Sequence, residues 1–198
     1  QHGKGSAIDA AATVYGGLQT LQDDTPTPLA TPLGDGWYWL LSGIPIVSTG
    51  ECVAHVRQHH GNDSALWQQF TTTTRDLQHA LTVRADPRPA LRENHRLLAH
   101  IGVVPAPAAA LIRDIEAAGG AAKISGAGAH RGDGGGIILA WHPDPQAIPA
   151  LLAPCPALTW DALHPAEQGA HLLPDAEDDV ATACINSENL SIPGDSAQ

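Results

Sequence analysis

Between residues 65 and 83, apolar side chains return at Leu66, Phe70, Leu77 and Leu81, the spacing of one face of a helix. Residues 50–60 read as a shorter helix before it. Asp86 to Pro89 breaks the chain, and the next helix aligns Leu91, Asn94, Leu98 and Ile101. Pro105 and Pro107 stop that helix and open another, with Leu111, Ile115 and Ala118 on one side. Near the start, the small residues Ala7, Ala10, Ala11 and Ala12 predict a helix from Ser6 to Tyr15. Ser6 serves as its cap and Gly16-Gly17 as its end. Asp23 to Gly36, with three prolines, reads as a loop or a hairpin connection.

Shorter apolar runs predict strands. WYWLL and IPIV, on either side of Ser42-Gly43, form two short strands or one bent strand, and AAKIS and GIILAW form two more. DPQAIPALLA is a short helix and ALTW a final strand. Helix pairs alternating with strands imply an α+β layer, a small and mostly antiparallel sheet with helices on one face. From about Asp175 the chain is acidic, polar and aperiodic, the composition of a mobile tail.

Charge narrows the function classes. Up to Arg131 the chain holds 11 acidic and 10 basic residues; beyond it lie 10 acidic residues and no Lys or Arg, giving a net charge of −11. Nucleic-acid binders need a basic surface, and this composition does not supply one. No apolar run approaches the ~18 residues of a membrane span, and no secretion signal opens the chain. Cys52, Cys155 and Cys184 are odd in number, far apart and free of any CxxC, which fits a reduced cytoplasmic protein better than a disulfide framework or a zinc site.

Two stretches carry candidate chemistry. GAGAHRGDGGG places six glycines between Gly126 and Gly136, directly between two strands. Such a turn either nests an anion such as phosphate on successive free N–H groups or is simply a long flexible hairpin. No GK[ST] follows it, and it is not a dinucleotide fingerprint. In HGKGSAIDAA, Asp9 sits among small residues at a helix entrance. It either caps the helix or stands ready to take a proton from a hydroxyl or hold a cation.

Taken together, these stretches resemble the GHMP superfamily of small-molecule kinases, and most closely the mevalonate kinases. His2-Gly3, Ser6-Ala7-Ile8-Asp9 and Tyr15-Gly16-Gly17 stand in the order and spacing of one family motif, with Gly5 where proline is common and Ala7 where glycine is usual. Lys123-Ile124-Ser125-Gly126-Ala127-Gly128 is similar to a second motif. There Ala129 to Asp133 intervene before Gly134-Gly135-Gly136. Ser48-Thr49-Gly50, and Asn94, Leu97, Leu98 and Gly102-Val103, are similar to segments that lie between the two. The resemblance covers most of residues 2–142.

The resemblance implies a GHMP-kinase-like α+β fold: the remainder of an N-terminal domain over residues 1–50, a ferredoxin-like C-terminal domain over 51–174, and the tail over 175–198. It implies transfer of the γ-phosphoryl of ATP, with Mg2+, to the hydroxyl of mevalonate, or of phosphomevalonate as the alternative. Asp9 would be the catalytic carboxylate, and His2, Ser6, Thr49 and Ala127 would line the substrate. Gly126, Gly128, Gly134 and Gly135 would face phosphate, and no residue is assigned to the metal. The expected protein is cytoplasmic, with a homodimer as the assembly to test. A non-catalytic relative that keeps the fold for binding is the rival from another class. The chain has no Met and begins with Gln, so the expectation is the C-terminal two-thirds of such a kinase, with the family's phosphate loop upstream of Gln1. His55, His59 and His60 read as a solvated, partly stacked helix face, Arg131 and Asp133 as charges near phosphate, and the five tryptophans as packing. The TTTT run at 71–74 has no functional account.

Overall fold

The computed structural model describes residues 7–166 and 168–170. The cap expected at Ser6 and the tail expected from Asp175 lie outside them. Helix α1 (Ala7–Tyr15) leads into a hairpin of β1 (Gln19–Gln22) and β2 (Thr25–Pro28). Asp23 and Asp24 at its tip both take positive φ, 49° and 59°, the two-residue turn whose twist matches the strands it joins. The hairpin thus begins before residue 23.

β3 (Trp37–Leu41) is followed by four helices, α2 (Thr49–His60), α3 (Ser64–Val83), α4 (Arg88–His100) and α5 (Ala106–Ala117). β4 (Ala121–Ser125), β5 (Ile137–Trp141), α6 (Ala147–Leu152) and β6 (Trp160–Ala162) complete the chain. The helix boundaries have local causes. The Ser48 hydroxyl accepts the Glu51 N–H and the Asp63 carboxylate accepts the Leu66 N–H, capping α2 and α3, while Arg84 ends α3 in the left-handed conformation. In the threonine run, Thr71 and Thr74 donate their hydroxyls to the carbonyls of Trp67 and Phe70, so the polar groups are satisfied within the helix.

The main sheet runs β4-β5-β3-β6, antiparallel throughout. β3, from the first fifty residues, therefore lies inside the sheet formed by residues 121–162. Two expected strands differ. IPIV is not one: Pro45 has no N–H for a ladder, Gly43 turns the chain at φ 113°, and residues 44–47 lie against the glycine turn instead. The last strand starts only at Trp160, the final residue of ALTW, and runs to Ala162, because the Leu158 N–H closes a turn onto the Cys155 carbonyl.

Alternation sorts the sheet's side chains. Tyr38, Leu40, Ala122, Ile124, Ile138 and Ala140 form one core with Ala108, Ile112 and Ile115 of α5 and Ile148 and Leu152 of α6. The opposite face is not bare. Trp37, Ala121, Leu139 and Trp141 meet Leu77 and Leu81 of α3 and Leu91 of α4. Among the described residues no helix is long and apolar enough to cross a membrane.

Lys123 lies on this second face, in register with Leu139, and its ammonium donates to the carbonyl of Ile124. Among the described residues no carboxylate compensates it, and desolvation pushes its pKa down to about 8.

Two outcomes follow from this packing. Leu40 is fully buried at the centre of the sheet, so Leu40→Ala is expected to cost roughly 2–5 kcal/mol, read as a lower urea midpoint at unchanged slope. Lys4 is the only other lysine. In protein with 13C-labelled lysine side chains, Lys123 should titrate near 8. Because the unfolded chain holds that proton to higher pH, stability should rise between about pH 8 and about 10.4, and the rise should vanish in Lys123→Met.

Candidate functional site

The glycine turn, residues 126–136, joins β4 to β5 and is held from two sides. Below it the Ala129 N–H donates to the Val103 carbonyl, and the Gly136 N–H donates to Gly43. The Ser42 hydroxyl and N–H both reach the Gly136 carbonyl. At Gly128, φ is 63° and a Cβ would overlap the Val103 carbonyl, so only glycine fits. The N–H groups of Gly126 and Ala127 bond to no other described residue. Gly126 is exposed and Ala127 half-buried, so these are donors an anion can reach.

Gly134 and Gly135 play a different part from the one expected. Both are buried; a Cβ on Gly134 would overlap the Ile44 carbonyl, and one on Gly135 would lie 2.9 Å from the Ser42 hydroxyl. Their lack of a side chain lets the 42–44 segment pack against the turn.

The other side of the turn is latched to the first two turns of α2. Cys52 donates its thiol to the Ala127 carbonyl at 3.1 Å. Glu51 accepts from the Arg131 guanidinium at 2.8 Å and lies 3.8 Å from His130 Nε2. The His130 ring stacks on His55 with centroids 4.3 Å apart and planes 8° apart, and His55 in turn meets His59. His130 Nδ1 is buried without a hydrogen-bond partner.

The Arg131 hydrogen bond holds the Glu51 carboxyl below its usual range. Desolvation, and then the neighbouring imidazoles, push His55 below its usual value, and burial raises the Cys52 thiol. A depressed Glu51 contributes above its unfolded pKa and fades as pH falls through the lower folded value. A depressed His55 favours the neutral ring in the same direction. Acid therefore loosens this latch from both partners.

Asp9 is held by a different set of contacts. It occupies the first turn of α1, is exposed, and has a carboxylate without hydrogen bond or ion pair among the described residues; only its carbonyl is used, by the Thr13 hydroxyl. α1 itself is fastened to residues 166–170: Gly17 donates to the Ala166 carbonyl and Ala170 to the Thr13 carbonyl. The glycine turn is fastened to α2 instead. Thr49, the first residue of α2, is exposed. The structure thus brings Ala127, Gly126 and Gly128 together with the start of α2, and leaves Asp9 on a separate support. His2 and Ser6 lie outside the described residues.

Sequence reasoning missed the latch. Arg131 is taken up by Glu51 rather than left free for phosphate. The histidines it set on a solvated face extend through His55 to the turn itself. A pairing of positions 80 apart leaves no local signal.

No family model matches the chain, and no curated protein matches it. Solved structures do. The chain is similar to L. major mevalonate kinase in complex with R-mevalonate, at 25% identity and a TM-score of 0.65, over 85% of this chain and 55% of that one. A second mevalonate kinase structure aligns at 16% identity and a TM-score of 0.63, over 79% of this chain and 49% of that one. The Methanococcus jannaschii mevalonate kinase aligns at 12% identity and 0.58, over 73% and 45%. The chain spans about half the length of these structures. The α+β architecture, with its antiparallel sheet, is GHMP-kinase-like.

Proposed function

We propose that this chain forms the acceptor side of an ATP-dependent small-molecule kinase of the GHMP type, and that the acceptor is the hydroxyl of mevalonate. The observation that carries the reading is the likeness to a mevalonate kinase over 85% of the chain, at a TM-score of 0.65. Phosphoryl transfer asks little covalent chemistry of a protein; positioning and charge stabilisation dominate.

Each group then has a task. The acceptor oxygen forms its bond to the γ-phosphorus as the bond to ADP breaks, and the hydroxyl proton passes to the exposed Asp9 carboxylate or, oriented by it, to water. Thr49 offers a hydroxyl at the start of α2, and the Ala127 backbone lines the acceptor. The free N–H groups of Gly126 and Ala127 fit phosphate oxygens. Gly134 and Gly135 hold the turn in shape. Mg2+ would neutralise charge on the nucleotide's phosphates, which commonly supply several of its ligands. Among the described residues no three His, Cys, Asp or Glu side chains converge on one point, so no step is assigned to the metal.

The test is ADP release by the complete polypeptide, with mevalonate and its 5-phosphate compared as acceptors. Mevalonate should be the better acceptor. Asp9→Ala should lower turnover on the order of 10²–10⁴-fold while the melting temperature stays unchanged, since the side chain is exposed and bonds to no other described residue. Undiminished turnover in the variant would overturn the reading. Faster turnover of the 5-phosphate would move the assignment to a phosphomevalonate kinase.

A further inference from the structure

A cavity of about 460 Å³ opens beneath α2, between that helix, α3 and α4. It is open to solvent, and its volume falls within the ~300–1,000 Å³ of small-molecule sites. Val56, Trp67, Phe70 and Ile101 wall it, and the apolar cluster around Leu66, Leu97 and Val103 lies against these walls. The aromatic wall is fixed in place. Trp67 donates its indole N–H to the His60 carbonyl at 2.9 Å, and its ring stacks on Phe70 at 5.5 Å.

One charged residue lines this space: Arg57. It stands in the last turn of α2, exposed, and its guanidinium has neither hydrogen bond nor ion pair among the described residues. No carboxylate lines the cavity, although the chain carries a net charge of −11. A cationic ligand would therefore find no partner here, and an anion would find one. The far end of the cavity touches Cys52, Gly126 and Ala127, the thiol and backbone that tie α2 to the glycine turn.

We propose that this cavity is a binding site for an amphipathic anion, an apolar body of small-molecule size that fills the space under α2 and ends in one carboxylate or phosphate held by Arg57. Burial of the apolar body supplies the affinity, and Arg57 selects the charge and sets the orientation. A bound molecule touches the glycine turn at Gly126 and Ala127 and covers the Cys52 thiol. The cavity shares Gly126 and Ala127 with the acceptor side proposed above, so it is tested by binding rather than by turnover.

Calorimetric titration with decanoate, decyl phosphate and decanol, below their aggregation concentrations, reads it directly. One saturable site per chain is expected for both anions, at least tenfold tighter than for decanol; the tighter of the two anions identifies the head group. Arg57→Gln, a change at an exposed side chain, should weaken the anions at least tenfold and leave decanol unchanged. In parallel, decanoate should slow thiol labelling at Cys52 and not at exposed Cys155. Absence of a saturable site, equal binding of decanol and decanoate, or anion binding unaffected by Arg57→Gln would each defeat the proposal. Val56→Trp, which fills the cavity, should abolish all three isotherms if the variant folds; if it does not fold, the Arg57 and labelling measurements still decide.

Discussion

Between β4 and β5 the backbone leaves the ladder for eleven residues, and nothing regular takes its place. Close approach of backbone to backbone fixes this turn. Val103 takes the Ala129 N–H, Gly43 takes the Gly136 N–H, and Gly128 and Gly134 admit carbonyls where any side chain would collide. Glycine makes these contacts possible but loses much conformational freedom on folding. Tethers outside the turn therefore have to offset that loss, and Cys52, Glu51 and His55 on one face of α2 provide them. The geometry of the donors at Gly126 and Ala127 depends on both sets of contacts together.

The regular elements were largely legible in the sequence. Leu66, Phe70, Leu77 and Leu81 fall on one face of α3, and all four pack as that spacing implies. AAKIS and the apolar run after the glycines are strands because alternation and β-branched side chains suit a half-buried pleat. IPIV has similar apolar content, but Pro45 cannot donate to a ladder and the preceding glycine redirects the chain. Local pattern does not weigh such a conflict correctly when the rest of the segment looks extended.

The site was legible only in part, for a physical reason. Glycine signals two different things, backbone left open to a ligand and backbone pressed against backbone, and both occur within the one cluster. Gly126 belongs to the first kind and Gly134 to the second, which nothing in GAGAHRGDGGG separates. Likewise His130 and Arg131 look like solvent-facing residues of a loop until α2, some 80 positions earlier, is laid beside them. Lys123 was visible as a motif residue, yet its altered proton affinity comes from a desolvation that only the folded face imposes.

The pairing of Trp37–Leu41 with Ile137–Trp141 has a consequence for how the chain comes into being. During synthesis at about 5–20 residues per second, the WYWLL segment waits roughly 5–20 s for its central partner to leave the ribosome. Through that interval the four intervening helices can form from local contacts, while a sticky aromatic ribbon stays unmatched. Sheltering that ribbon, by chaperone or by early collapse onto the helices, is a demand that the topology places on the cell rather than on the finished fold.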